Sequence, residues 1–260
     1  MKIADQVLDI LAECRTEGNT LCLPDKQLDR KTYEDVNKCI VNIGGKWNRK
    51  AKGHVFDYDP AEALDNLILT GETTSPKNVF QFFPTPRPIA KIMCDMAEIN
   101  QYSRVLEPSA GNGALIEVIA ERGPESIYVV ELNPDMERYL IPLKEQSLMV
   151  DRPFFCEIDD FLTLNLKNKI SVNRIIMNPP FTKQQDIDHI REAFSVLYDG
   201  GIMVSIVSES PFFRTNRKSE EFRSFLTDNN AEIVPLPEGA FKESGTMVRT
   251  RIIKIKKHIA

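Results

Sequence analysis

The segment Val105-Leu106-Glu107-Pro108-Ser109-Ala110-Gly111-Asn112-Gly113-Ala114 restricts this chain more than any other. An apolar run ends on an acid, a turn with two glycines follows, and an apolar stretch begins at Ala114. Glycine takes positive φ without steric penalty and lets backbone approach a ligand closely. The segment therefore reads as a buried strand, 104–107, turning into a helix, 114–121. Downstream, strand patterns at 126–131, 154–157, 174–178, 201–208, 231–236 and 247–256 alternate with helix patterns at 134–140, 186–197 and 219–228. This alternation predicts an α/β fold on a doubly wound sheet, with ligands bound beyond the carboxyl ends of the strands.

The first part of the chain reads differently. Residues 3–14 carry a helical apolar period, and 33–43 read as a second helix ending at Gly44-Gly45. Residues 46–56 suggest a hairpin with a basic tip, and Pro60 opens a third helix to about Leu69. This small N-terminal α+β region suggests a winged-helix arrangement. The polar stretch 70–78 is the candidate linker, so the expected domains are 1–75 and 76–260.

Composition narrows the class. A net charge of −5 over 260 residues argues against coating nucleic acid by bulk charge, but leaves room for local basic patches. Five scattered cysteines without a CxxC point to reduced thiols, and the three histidines lie far apart, so no metal site is expected. The chain has no apolar run of membrane length and no signal-like start, which predicts a cytoplasmic protein without a membrane partner.

Two motifs carry chemistry. Glu107 ends the first strand of the sheet region. Glu131, ending Tyr128-Val129-Val130-Glu131-Leu132, is placed to accept hydrogen bonds from both hydroxyls of a ribose. A nicotinamide-dinucleotide fingerprint has a third glycine, and Ile116 stands in that position. Asp160 before Phe161, with Asp159 as second choice, is the candidate acceptor for the amino group of a cofactor's adenine. The second motif is Asn178-Pro179-Pro180-Phe181 after an apolar strand. Pro179 keeps Asn178 extended, and both prolines have fixed φ and no amide proton. The expected result is a rigid corner presenting the Asn178 side-chain oxygen and the Pro179 carbonyl, beside the flat face of Phe181. Two such acceptors on an aromatic amine favour a pyramidal nitrogen and stabilise its developing charge during methyl transfer.

At these residues the chain resembles the gamma class of adenine-N6 DNA methyltransferases, within the Rossmann-like S-adenosyl-L-methionine-dependent superfamily. Phe82-Phe83-Pro84-Thr85-Pro86, the glycine segment, the ribose acid and the Asn-Pro-Pro-Phe corner follow one another in the family's order, and the likeness spans about 80–256. The resemblance implies a mostly parallel sheet with an antiparallel last strand, S-adenosyl-L-methionine as cofactor and DNA as partner. It implies that Thr85 covers the methionine end of the cofactor, and that Pro108, Ser109, Ala110, Gly111, Gly113, Leu132, Phe161 and Asn178 contribute to its site. It also implies that Phe241, before the final strand, packs with Phe181 against a flipped base; Phe212 and Phe213 compete for that role. The family's restriction-type enzymes carry a target-recognition domain after the catalytic one. Here sequence reading is expected from the N-terminal region, short loops or a partner.

Arg49 and Lys50, within the cluster Lys46, Arg49, Lys50, Lys52 beside Trp47, and Arg214 and Arg217, beside Lys218, are the expected phosphate contacts. The basic C-terminal cluster reads as solvated surface. Amino-methyltransferases of ribosomal RNA or of release-factor glutamine use the same Asn-Pro-Pro-aromatic device. A catalytically silent nucleic-acid-binding protein is the rival from another class.

Overall fold

A computed structural model describes residues 3–56, 59–71, 83–146, 152–167, 169–244, 246 and 248–258. Most of the expected linker, together with Phe82 and Met247, lies outside the described residues. The chain divides into two compact units. One comprises Met1–Val79, Glu209–Arg223 and Pro237–Arg249; the other comprises Phe80–Ser208, Ser224–Leu236 and Thr250–Ala260.

The first unit begins with α1 (Asp5–Glu13), β1 (Arg15–Glu17), β2 (Thr20–Cys22), α2 (Arg30–Asn42), β3 (Lys46–Asn48), β4 (Gly53–Val55) and α3 (Ala61–Thr70). Its four strands form an antiparallel sheet in the order β1-β2-β4-β3. The sequence reading missed β1 and β2, whose three residues are too few to set a period. It also started α2 late: Asp29 caps that helix, accepting from the Thr32 amide at 3.0 Å and the Thr32 hydroxyl at 2.6 Å. The helix stops at Gly44, where φ is +97°. Val7, Leu8, Leu11, Leu21, Val36, Ile40, Phe56 and Leu64 build one core from all three helices, β2 and the segment after β4.

Two later segments complete this unit. Arg214 of the 209–223 segment pairs with Asp65 of α3 at 2.6 Å, with both side chains largely buried. Arg249 of the 237–249 segment pairs with Glu13 of α1 at 3.1 Å and also with Glu238. The N-terminal unit is therefore not a contiguous stretch of chain, in contrast to the expected 1–75 region.

The second unit contains α4 (Arg87–Met96), β5 (Arg104–Glu107), α5 (Ala114–Glu121), β6 (Ser126–Glu131), α6 (Glu137–Gln146), β7 (Phe154–Ile158), β8 (Val172–Met177), α7 (Gln185–Val196) and β9 (Leu197–Ser208). It closes with β10 (Glu232–Pro235) and β11 (Thr250–Lys256), while α8 (Arg217–Asp228) crosses the division between the units. The sheet order is β10-β11-β9-β8-β5-β6-β7. Strands β9, β8, β5, β6 and β7 run parallel, and β11 pairs antiparallel with both β9 and β10. Successive residues such as Val105 and Leu106, or Ile175 and Ile176, are fully buried. Both faces of the central strands are thus covered, as a parallel sheet requires. Connections from β5 run outward through β6 to β7, whereas β8 returns to the other side of β5. The switch point between β5 and β8 is where such sheets open a ligand crevice.

Candidate active site

Glu107, Glu131 and Asn178 stand at the carboxyl ends of β5, β6 and β8, three adjacent strands. Leu106 is in register with Ile175 on one side and Tyr128 on the other. The pleat therefore sets all three polar groups at one edge of the sheet.

The glycine turn has two separate needs for glycine. Gly111 and Gly113 have φ of +56° and +85°, a region L side chains rarely adopt. A Cβ on Gly113 would also lie 2.2 Å from Leu143 Cδ1 of α6. Ile116, in the position of the dinucleotide fingerprint's third glycine, is 1% exposed and packs as a core residue.

Glu131 ties this turn to the next one. Its Oε2 accepts from the Gly111 amide at 2.6 Å, and its Oε1 accepts from the Asn133 amide at 2.7 Å. Each carboxylate oxygen can take a second hydrogen bond, so a role toward a diol remains compatible with this geometry. Leu132, the next residue, is half exposed at the same strand end. Glu107 is completely buried. Its Oε1 accepts from the Ser109 amide at 3.1 Å, and its Oε2 has no partner. Burial pushes its carboxyl well above the usual range; the Ser109 amide opposes that shift, and the Glu131 charge reinforces it. Beyond β7, Asp160 Oδ1 accepts from the Leu162 amide at 3.0 Å and Asp159 Oδ1 from the Asp160 amide at 2.7 Å. Phe161 is buried, with its ring 5.7 Å from that of His189.

The Asn-Pro-Pro-Phe corner meets the segment before α4. The Asn178 side-chain nitrogen donates to the Phe83 carbonyl and to the Thr85 hydroxyl, both at 3.1 Å. Its Oδ1 is buried and has no hydrogen-bond partner. All peptide bonds described are trans, so the corner's rigidity comes from the fixed φ of Pro179 and Pro180. Behind the corner the backbone turns sharply: Lys183 and Gln184 have φ of +56° and +57°, costly for residues with a Cβ. Asp186, fully buried at the start of α7, accepts from the Ser208 amide at 3.0 Å and hydroxyl at 2.7 Å. This link holds α7 against the end of β9. Sequence reasoning identified neither the Phe83 carbonyl nor the Asp186–Ser208 link, because nothing in the local pattern marks them.

Phe181 is 4% exposed, and Phe241 is 1% exposed and belongs to the first unit. Neither ring offers a free face in this structure, so the expected aromatic pair would have to be uncovered to meet a base. Arg214 is corrected as a phosphate contact, since its guanidinium is buried on Asp65. Arg217 is exposed and pairs with Glu221 one turn along α8 at 2.6 Å. Arg49 and Lys50 are exposed on the β3–β4 hairpin. Among the described residues no cluster of three or more His, Cys, Asp or Glu is arranged to hold a metal, and no helix is long and apolar enough to cross a membrane.

Comparison with solved structures settles the architecture. The methyltransferase subunit of a type I restriction-modification system from Streptococcus thermophilus superposes with a TM-score of 0.59 at 20% identity, covering 76% of this chain and 49% of that one. The chain has the Rossmann-like methyltransferase fold. The M protein of the type I restriction enzyme EcoKI shares this fold at a TM-score of 0.56 and 15% identity, over 97% of this chain and 57% of that one. A putative RNA methyltransferase from Pyrococcus horikoshii shares it at 0.52 and 19%, over 72% and 92%. In sequence, the methyltransferase-fold chain is 27% identical over 157 residues to the type II restriction enzyme and methyltransferase RM.BcgI of Heyndrickxia coagulans. That match spans 51% of this chain and only 24% of its relative's length. No protein-family model matches the chain.

Proposed function

We propose that the chain is an S-adenosyl-L-methionine-dependent DNA methyltransferase acting on the exocyclic N6 amine of adenine. The observation that carries this reading is the state of Asn178. Both its N–H bonds are directed at protein acceptors, Phe83 and Thr85, which leaves Oδ1 as the group facing a substrate, buried and without a partner. A buried acceptor left that way costs about 1–3 kcal/mol, and an incoming N–H removes the cost. An aromatic amine supplies that N–H, and its nitrogen becomes a better nucleophile as Asn178 Oδ1 and the Pro179 carbonyl draw its hydrogens out of the ring plane.

The residues present fit the cofactor. Glu107 keeps an unpartnered buried oxygen beside the glycine turn, a group that gains from a nearby cation, and this cofactor carries both a sulfonium and an ammonium. Glu107, Gly111, Gly113 and Thr85 would hold its methionine end, Glu131 and Leu132 its ribose, and Asp160 and Phe161 its adenine. Bound there, S-adenosyl-L-methionine supplies an electrophilic methyl group. In this reading Phe181 stacks on the base, which requires its ring to be uncovered as the base enters. The likeness to methyltransferases of restriction-modification systems supports DNA as the acceptor.

Incubation of methyl-labelled cofactor with duplex DNA, single-stranded DNA, RNA and a release factor, in parallel with Asn178→Ala, tests the proposal. Label at adenine N6 of DNA, lost in the variant, is expected. Label in RNA or protein but not DNA would overturn the acceptor. No cofactor binding by calorimetry would replace the enzyme with a silent nucleic-acid-binding protein.

A further inference from the structure

The β3–β4 hairpin concentrates charge and an aromatic in a way the fold does not need. Residues 46–52, Lys-Trp-Asn-Arg-Lys-Ala-Lys, are all exposed, and no acidic residue occurs between Gly44 and Phe56. Four cations in seven residues thus stand together in a chain of net charge −5. The turn between the strands is ordered rather than slack: Asn48 Oδ1 accepts from the Lys50 amide at 2.9 Å and the Ala51 amide at 3.1 Å. The backbone that carries the cations is therefore fixed in a short turn.

Trp47 is 53% exposed, although it is the only tryptophan in the sequence. Trp and Tyr are enriched at interfaces, where one end of the ring is apolar and the other wet. This one is also braced. Trp47 is in register with His54, and the two rings meet edge to face with centroids 5.2 Å apart. His54 is fully buried and hydrogen-bonded to Asn37 of α2 at 2.8 Å. The indole is held from below by a fixed ring while its outer part remains in solvent. Moreover, β3 is an edge strand, so nothing in its own sheet covers the outer side.

We infer that the β3–β4 hairpin is a DNA-binding element, with Trp47 as a stacking platform for a base and Lys46, Arg49, Lys50 and Lys52 on the phosphates. Cations alone would suit any polyanion. A braced, half-exposed indole among them suits one that also carries planar bases, since every base offers a π face. The choice of DNA rests on the methyltransferase reading; the platform itself rests on the hairpin alone.

Because Trp47 is the sole tryptophan, its emission reports directly on this surface. Titration of the wild-type chain with a fluorescently end-labelled single-stranded DNA oligonucleotide, followed by anisotropy and by tryptophan emission, is expected to show emission falling along the same binding curve. Heparin, a polyanion without bases, should bind without that change. Trp47→Ala should weaken DNA binding about tenfold and leave the salt slope as it was. Trp47→Phe, which keeps a ring over His54, should lie closer to wild type and guards against a folding defect. Arg49→Ala with Lys50→Ala should lower the slope of log K against log salt by about 2. Unchanged emission at saturating DNA, or an equal response to heparin, would overturn the platform. An equal response to RNA would overturn the choice of DNA. A quenched indole without methyl transfer would leave the hairpin inference standing while the enzymatic reading falls; methyl transfer without quenching would do the reverse.

Discussion

The Asn178 side chain donates to the Thr85 hydroxyl at 3.1 Å across 93 residues of sequence. This bond joins two motifs that are otherwise separate, and with the Phe83 bond it leaves Oδ1 as the unpartnered end of the amide. Asn178→Ala removes the acceptor and is expected to lower the methyl-transfer rate about 10²–10³-fold, by analogy with loss of one preorganised polar group in other active sites. Thr85→Val leaves the oxygen in place but loosens its orientation, and a loss of about tenfold is expected, the scale of one buried hydrogen bond. Single-turnover incorporation of label measures both. A Thr85→Val rate equal to wild type would show that the Phe83 carbonyl alone orients the amide.

Gly113 is constrained by dihedral and by space. Gly113→Ala is expected to cost about 1–2 kcal/mol for its left-handed backbone and a further ~0.5–1.5 kcal/mol for turning the half-buried Leu143 side chain aside. Leu143→Ala in the same background should recover part of the second cost and none of the first. Urea unfolding of the two variants beside wild type separates the contributions.

The Arg214–Asp65 pair is buried enough to matter. Asp65→Ala leaves a buried guanidinium without its carboxylate and is expected to destabilise the first unit by about 3–5 kcal/mol. A double replacement by apolar residues of similar volume should lose much less. The exposed Arg217–Glu221 pair is the control: breaking it should change stability by no more than about 1 kcal/mol.

Burial raises the carboxyl pKa of Glu107 in the folded chain, so the native state holds a proton that the unfolded state releases. Stability from this group is full below the ordinary glutamate range and is lost as pH rises through the raised native value. Glu107→Gln removes the titration. The variant should therefore gain on wild type as pH rises above the ordinary glutamate range, in denaturant midpoints measured without cofactor. A constant difference across that window would show that Glu107 is ionised in the native state.

Much of the sheet unit was legible from local pattern. Strands such as 104–107 and 126–131 are short apolar runs ending on acids, and their helices carry an amphipathic period. The helix over 87–96 has no counterpart in the sequence reading, because prolines at 84, 86 and 88 crowd its start and mask its period. The two three-residue strands near the N-terminus offered no periodicity at all. Among site residues, Glu107, Glu131 and Asn178 were recognisable because each closes an apolar strand. Phe241 and Arg214 are buried where exposed groups were expected, for one shared reason. Residue type suggested stacking and phosphate binding, but burial decides availability, and burial depends on which distant segments return to the first unit.

The order of motifs by itself determined the doubly wound sheet and the edge at which Glu107, Glu131 and Asn178 gather, because strand ends, glycine turns and proline corners are dictated by nearest-neighbour sterics. Only the tertiary structure decided that the Asn178 amide points its hydrogens at Phe83 and Thr85, that Glu107 keeps an unpartnered oxygen, and that Arg214 is spent on Asp65. Those outcomes depend on hydrogen-bond geometry and desolvation between residues far apart in the chain, and no local pattern encodes either.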